Sequence, residues 1–489
     1  MTYNELLKLV ARPGAPKVRA DSRCVGPGDV FVAVSGTTCD GHSFIPEAVE
    51  KGAAYIVCEK GKSNIVFPHR RITVIEVEDT TQAAAILAQA REGFPASRLV
   101  NLAVTGTNGK TTVAFLARRC IEQAGRKCGL VGTVVYDTGK ATVQSSLTTP
   151  DCFDIARLQS EMVEAGCEFM VAEASSHALS QGRLAGIEFA AAAFTNLAGD
   201  HMDYHKTEQD YLSAKAALFE HLPADATAVL NSRSPHARQI SERLPCGVKE
   251  LWYGVDCDAE LSAHIRSMDV SGTVFELCCG GRSAAVRTGL VGLYNVSNHL
   301  AAAGLCLAAG LELETIAAGL SSLSSIPGRL ERVDGGGDFS VLVDYAHTDD
   351  ALRNVLSTLR PLCSGRLTVV FGCGGDRDRT KRPRMAKVCQ KLADRVIVTS
   401  DNPRTEQPDA IIAEIMEGFD DPRSEAILVE PDRKKAIEAA VEYAEKDDII
   451  LIAGKGHETY QIIGTEKKPF SDKAVAAQCL QKLRQGSLQ

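Results

Sequence analysis

The sequence predicts a three-domain α/β protein, and three observations carry that expectation. The chain has 489 residues, more than one hydrophobic core organises, since single cores stop growing near about 250–300 residues. Short apolar runs repeatedly end in Gly-rich or polar loops and give way to helical patterns, as in strand–turn–helix units around parallel sheets. Two stretches rich in Pro, Gly and polar residues, 91–99 and 326–333, interrupt the pattern. They divide the chain into expected domains 1–97, 98–328 and 329–489.

Composition narrows the class further. Hydrophobic residues at 45% and charged residues at 24% are ordinary globular values, which excludes a disordered, fibrous or disulfide-stapled chain. No apolar run approaches the ~18–20 residues of a membrane helix. The opening MTYNELLKLV has neither a basic n-region nor a cleavage site. The 16 cysteines are scattered without a CxxC pair, which reads as reduced cytosolic thiols rather than disulfides or a zinc site. A cytoplasmic protein is expected, with a monomer as the default. The net charge of -8 argues against a nucleic-acid partner.

In the first domain, residues 29–34, 55–58 and 72–77 are β-branched apolar runs, while 44–51 and 80–91 read as helices. The second domain opens with an apolar strand at 99–104, then TGTNGKTT, then a helical run from 113 to 124. Further strands end in EASSH and TNLAGDH, and helical stretches between them imply a parallel sheet. The third domain repeats one design four times. Strands ending in VLVDYAH, VVFGCGGDRD, VIVTSDNPR and ILIAGKGHE run into polar loops, which describes a doubly wound, Rossmann-like sheet. Ligands of such sheets bind at the carboxyl ends of the strands.

The strongest chemical signal is Thr105-Gly106-Thr107-Asn108-Gly109-Lys110-Thr111-Thr112. Backbone N–H groups of a Gly-rich turn before a helix cradle phosphate, Lys110 adds a point charge, and Thr111 offers a hydroxyl to Mg²⁺. The usual first glycine is replaced by Val104, so the motif is a shortened variant. Glu173 ends a hydrophobic strand, either as a Mg²⁺ ligand beside that loop or as a solvent-facing carboxylate. The cluster from Asp200 to His205 fits a helix N-cap or a metal or phosphate contact through His201. Lys215 lies on an Ala-rich helix, where a lysine either snorkels to water or, if buried, becomes reactive. Arg377 belongs to a basic loop, and Arg404, after Asp401-Asn402-Pro403, pairs with Glu458 as a zwitterion site or as a surface salt bridge. The expectation places Arg404 and Glu458 on neighbouring strand ends.

Together, TGTNGKTT, EASSH, TNLAGDHMDYH, the helix with Lys215, YNVSNHLAA and IPGRLERV resemble, in order and rough spacing, the Mur ligase family of bacterial cell-wall synthesis. The resemblance spans nearly the whole chain. It implies a small N-terminal UDP-binding domain, a central P-loop ATPase domain and a C-terminal amino-acid-binding domain. It makes Lys110 and Thr111 phosphate and Mg²⁺ contacts, Glu173 and His201 metal ligands, and Lys215 a carbamylated lysine (N6-carboxylysine), reversing the snorkelling alternative. Asn298, Arg329 and Asp344 match positions near adenine and ribose of ATP. Ser22 matches a uridine-side contact, and Thr148, Thr149, Ser175, Gln181 and Arg183 match contacts to a muramoyl-dipeptide. Arg377, Asp401, Asn402, Pro403, Arg404, Gly454 and Glu458 match a diaminopimelate site, because the tetrad DNPR resembles the form that adds meso-diaminopimelate rather than L-lysine. The implied activity is ATP-dependent amide formation on UDP-MurNAc-L-Ala-D-Glu through an acyl phosphate. Alternatives are a lysine-adding relative, a folylpolyglutamate synthase-like ligase and a P-loop regulatory ATPase.

Overall fold

The computed structural model describes residues 1–36, 39–62, 72–198, 204–335 and 338–486. The candidate His201 lies outside the described residues. Three principal sheets follow one another along the chain, drawn from residues 18–77, 100–288 and 331–453.

The first sheet contains β1 (Val18–Arg19), β2 (Val30–Val32), β3 (Tyr55–Glu59) and β4 (Thr73–Val77), in that order and all parallel. Helices Tyr3–Val10 and Thr80–Arg91 cover one face, where Leu6, Val30, Val32, Val57 and Leu87 meet. Helix Ile45–Glu50 covers the other with Phe31, Val49 and Ile56. The successive residues Val30, Phe31 and Val32 thus point to alternate faces, and a parallel sheet needs both faces covered.

The central sheet has eleven strands: β5 (Val100–Thr105), β6 (Cys128–Val131), β7 (Val135–Asp137), β8 (Thr142–Gln144), β9 (Phe169–Glu173), β10 (Ala191–Phe194), β11 (Thr227–Asn231), β12 (Lys249–Val255), β13 (Leu261–Asp269), β14 (Gly272–Cys279) and β15 (Arg282–Thr288). Their order is β15-β14-β13-β12-β11-β10-β5-β9-β6-β7-β8. The expected parallel sheet exists from β13 to β6, but antiparallel hairpins extend both edges. The turn between β14 and β15 is Gly280-Gly281, with φ of 57° and 74°. Positive φ at both central residues suits the two-residue turn whose twist matches paired strands. Along β5, Leu102 and Val104 face helices Lys110–Gln123 and Leu293–Ala308, and Ala103 faces the opposite layer.

The third sheet runs β16-β17-β21-β18-β19-β20, from β16 (Glu331–Arg332), β17 (Ser340–Asp344), β18 (Leu367–Phe371), β19 (Arg395–Val398), β20 (Ile427–Val429) and β21 (Ile449–Ala453). All pairs are parallel except β16–β17. A separate hairpin, β22 (Tyr460–Ile463) with β23 (Glu466–Pro469), follows. One detail corrects the sequence reading: β19 and β21, which carry the loops of Arg404 and Glu458, flank β18 rather than each other. Arg433 and Asp472 form a wholly buried ion pair at 2.7 Å. Arg433 also donates to the carbonyls of Ser400, at 3.4 Å, and Ala453, at 2.8 Å. Those carbonyls precede the two loops, so one guanidinium ties both strand ends together.

Candidate active site

The Gly-rich turn leaves β5 at its carboxyl end and enters helix Lys110–Gln123. Gly106 and Gly109 have φ of 146° and 92°, conformations that a side chain disfavours. A Cβ at Gly106 would overlap Thr195 Oγ1, and one at Gly109 would overlap Asn298 Oδ1. Gly109 is the helix N-cap and supplies no side-chain cap, so the first N–H groups have no intrahelical partner and suit an anion. Lys110 Nζ donates to the carbonyls of Gly106 and Thr107 at 2.8 and 2.9 Å.

Glu173 ends β9, directly beside β5, and is 1% exposed. That excludes the solvent-facing reading: the carboxylate is turned inward. It accepts from Thr111 Oγ1 at 3.0 Å, from the Thr133 amide at 2.8 Å and from Thr133 Oγ1 at 2.8 Å. Thr133 Oγ1 also lies 3.1 Å from Thr148 Oγ1. Thr111 and Glu173 supply only hard oxygen donors, the set Mg²⁺ prefers when phosphates and water complete its shell. Among the described residues, no group of three or more His, Cys, Asp or Glu converges as a metal cage.

A cleft of about 360 Å³ gathers Asn108, Lys110, Thr111, Glu173, Asn298, Arg329 and Asp344. It lies between the central and third units. Arg329 donates to Thr111 Oγ1 at 3.1 Å, and Asn108 Nδ2 to Asp350 at 2.9 Å. Burial raises the Asp344 carboxyl, opposed by Arg329 and by the N–H groups of Leu330 and Ala346. Burial and the neighbouring Asp349 raise Asp350. Lys215 is 1% exposed, so it does not snorkel. Its Nζ lies 4.3 Å from the Tyr211 ring centre, and Tyr211 Oη accepts from Thr107 Oγ1 at 3.2 Å, linking Lys215 to the Gly-rich turn.

Next to Glu173, the Thr149 hydroxyl donates to the Glu173 carbonyl at 2.6 Å, and Arg183 donates to the Thr149 carbonyl at 2.8 Å. The Ser175 amide donates to Thr149 Oγ1, and Arg183 also grips Gln181 Oε1. Thr148, Thr149, Ser175, Gln181 and Arg183 therefore form one patch. Ser22 stands apart in the first unit, donating to Glu47 at 2.7 Å.

The third cluster sits at the carboxyl ends of β18, β19 and β21. Arg404 and Arg377 both pack against Gly374. Burial and then the like charge of Arg377 lower the Arg404 guanidinium, against the opposing pull of Asp401, Glu458 and Asp376. Arg404 has φ of 51° and is pinned by the hairpin. Its N–H donates to Ile462 O at 3.2 Å and its carbonyl accepts from Gly464 at 2.8 Å. Asp401, Asn402 and Glu458 converge nearby, and Asn402 Nδ2 donates to Glu458 Oε2 at 2.9 Å. Gly454 has φ of 114°, and a Cβ there would press on Asp401. Pro403 carries the chain over Gly375. Sequence reasoning missed Thr133, Asp350 and Lys455. Of these only Lys455 had a local signal, a cation between two glycines at a strand end.

The comparisons with known proteins follow the same three units. Residues 104–306 match the Mur ligase middle domain, 328–456 the Mur ligase glutamate ligase domain, and 17–92 the Mur ligase family catalytic domain. A curated relative from Geobacillus thermodenitrificans, UDP-N-acetylmuramoyl-L-alanyl-D-glutamate–2,6-diaminopimelate ligase, is 43% identical over 97% of both chains. A solved structure of a ligase with that same name is 32% identical, with a TM-score of 0.69 over 96% of this chain and 95% of its own. The Mycobacterium tuberculosis folylpolyglutamate synthase complexed with ADP and AMPPCP is 18% identical, with a TM-score of 0.62 over 81% of this chain and 94% of its own. At that identity the likeness is one of fold.

Proposed function

The chain belongs to the Mur ligase family, and on that premise we propose that it joins meso-2,6-diaminopimelate to UDP-N-acetylmuramoyl-L-alanyl-D-glutamate with cleavage of ATP to ADP and phosphate. One observation carries the choice of amino acid. Arg404 and Arg377 lie together at Gly374, with Asp401 and Glu458 nearby, and among the described residues neither arginine is in an ion pair. A ligand end bearing both a carboxylate and an ammonium satisfies that pattern. L-Lysine offers only the ammonium and leaves the guanidiniums unpaired, which rejects it as well as failing to attract it.

A carboxylate does not condense with an amine in water, because oxide is a poor leaving group. In the proposed reaction the γ-phosphoryl group moves from ATP to the D-glutamyl carboxylate. The diaminopimelate amine attacks the acyl carbon, the C–O bond to phosphate breaks, and amide, phosphate and a proton result. The residues act by positioning and charge neutralisation, which is most of phosphoryl-transfer catalysis. Gly106–Thr112 cradle the phosphates, with Lys110 countering their charge. Asn298, Arg329 and Asp344 hold the nucleoside side. Thr111 and Glu173, with His201, would hold Mg²⁺, which when bound neutralises charge between ATP and the carboxylate. Lys215, as a carbamate, would place an anion beside that cation. Thr148, Thr149, Ser175, Gln181 and Arg183 hold the muramoyl-dipeptide, and Ser22 the uridine side. Arg377, Asp401, Asn402, Pro403, Arg404, Gly454 and Glu458 receive diaminopimelate.

The proposal includes domain limits at 1–97, 98–328 and 329–489 and a cytoplasmic monomer. Among the described residues no helix is long and apolar enough to cross a membrane. The test is ATP-dependent phosphate release with the UDP-muramoyl-dipeptide and, in turn, meso-diaminopimelate, L-lysine or no amino acid. Release only with diaminopimelate is expected. Preference for L-lysine would move the reading to a lysine-adding relative, and release independent of any amino acid would indicate a regulatory ATPase.

A further inference from the structure

We propose that Lys455 is a positioning residue that sets amino-acid selectivity, because its own ammonium already occupies the carboxylate cluster meant for the substrate's cationic end. The inference rests on the reading that this cluster receives a zwitterion. Lys455 is 0% exposed, in the loop leaving β21, between Gly454 and Gly456, whose φ values are 114° and 54°. A Cβ at Gly454 would press on Asp401 and one at Gly456 on Tyr345. The backbone is thus held close on both sides, and the lysine side chain runs inward across the strand ends.

Its Nζ donates to Glu458 Oε2 at 2.8 Å and to Asn402 Oδ1 at 3.0 Å, and lies 3.9 Å from Asp401 Oδ1. Asn402 closes the ring: its Nδ2 donates to the same Glu458 Oε2 at 2.9 Å, and its Oδ1 also accepts from the Ile462 amide at 2.9 Å. Glu458 Oε2 therefore takes two donors, and its rotamer is fixed. Among the described residues Oε1 accepts no hydrogen bond, which leaves it to an incoming ammonium.

The charges explain selectivity. Asp401, Glu458 and Asp376 are the anions and Lys455, Arg404 and Arg377 the cations, so the charges of the site balance. A zwitterionic end leaves that balance unchanged and pairs the guanidiniums. A bare ammonium end adds an uncompensated positive charge beside the buried Lys455, where like charges repel strongly. Without the Lys455 charge the site is net negative, Glu458 keeps only the Asn402 donor, and the penalty against a bare ammonium falls.

The test uses the full-length enzyme and the phosphate-release assay with meso-diaminopimelate and with L-lysine. Lys455→Met should raise KM for diaminopimelate at least about tenfold and narrow the diaminopimelate-to-lysine ratio of kcat/KM by at least about tenfold. KM for ATP and for the UDP-muramoyl-dipeptide should stay at wild-type values. Lys455→Arg should restore most of the ratio. Lys455→Gln keeps an N–H donor for Glu458 without the charge, and it carries the measurement should Lys455→Met not fold. An unchanged ratio in the folded neutral variant, or an equal loss with both amino acids, overturns the proposal. A wild-type enzyme that ignores diaminopimelate overturns the substrate reading itself, a result separable from any variant-to-wild-type ratio.

Discussion

Replacing Arg404 by Ala isolates a guanidinium that forms no ion pair among the described residues. The perturbation is confined to the side chain. The backbone at φ 51° is held by Ile462 and Gly464, and Ala faces the same left-handed cost of roughly 1–2 kcal/mol that Arg already bears. Among the described residues the side chain makes one hydrogen bond, to the Gly375 carbonyl at 2.7 Å, so folding should lose little. Binding should lose more. A charge-assisted hydrogen bond is worth about 1.5–3 kcal/mol, and Arg404 is half-buried, which keeps solvent screening modest. Arg377 stands beside it and can recover part of the contact, so about 2 kcal/mol is the expected cost. At 1.4 kcal/mol per decade, that is roughly a thirtyfold rise in KM for diaminopimelate. The kcat at saturation and KM for ATP should hold. L-Lysine has no distal carboxylate, and removing a repelling guanidinium should improve its kcat/KM if it changes at all. Steady-state phosphate release with each amino acid reads this directly. A wild-type KM for diaminopimelate in Arg404→Ala, or a parallel thirtyfold loss for L-lysine, would refute the assignment.

Three further expectations follow from buried and half-buried groups. Thr133→Val removes a hydroxyl that orients Glu173, and the Mg²⁺ concentration for half-maximal activity should rise about tenfold; an unchanged titration would detach Thr133 from the metal seat. Lys215→Ala should abolish activity, with partial rescue by a short carboxylic acid that replaces the carbamate; full activity in that variant would sink the carbamate. Burial, with Arg329 and Lys455 nearby, pushes His457 down to about 4, below its unfolded value of about 6.5. The unfolded chain therefore takes up a proton that the folded one refuses. This contribution is complete above pH 6.5 and is lost as pH falls towards 4. His457→Asn should flatten the stability–pH slope in that window by up to about 1.4 kcal/mol per pH unit, and parallel slopes from denaturant titration would exclude it.

What the sequence made legible was local. The TGTNGKTT turn, Glu173 and the DNPR and GKGHE loops all sit at strand ends, where a few consecutive residues determine both backbone and chemistry. Lys215 is ambiguous for the complementary reason: Tyr211 stands one turn away on the same helix, but its bond to Thr107 of the Gly-rich turn spans 104 residues. The hairpins at the edges of the central sheet went unread although Gly280-Gly281 marks one of their turns, since the parallel pattern around them dominated. Thr133 and Asp350 gain meaning only through partners 40 and 242 residues away. The separation of β19 from β21 by β18 is likewise a matter of sheet order, which no single segment encodes.

Thr111 Oγ1 is a single oxygen shared by two units: it donates to Glu173 and accepts from Arg329, which stands 218 residues further along the chain. A hydroxyl oxygen has two lone pairs, and a divalent cation seated on this one repels the guanidinium that uses the other. Clamp and cation therefore draw on the same atom. By thermodynamic reciprocity, the factor by which a cation there disfavours the clamp is the factor by which the closed clamp weakens the cation's hold. The hydrogen bond that joins the central and third units thus competes with, rather than assists, any cation on that oxygen.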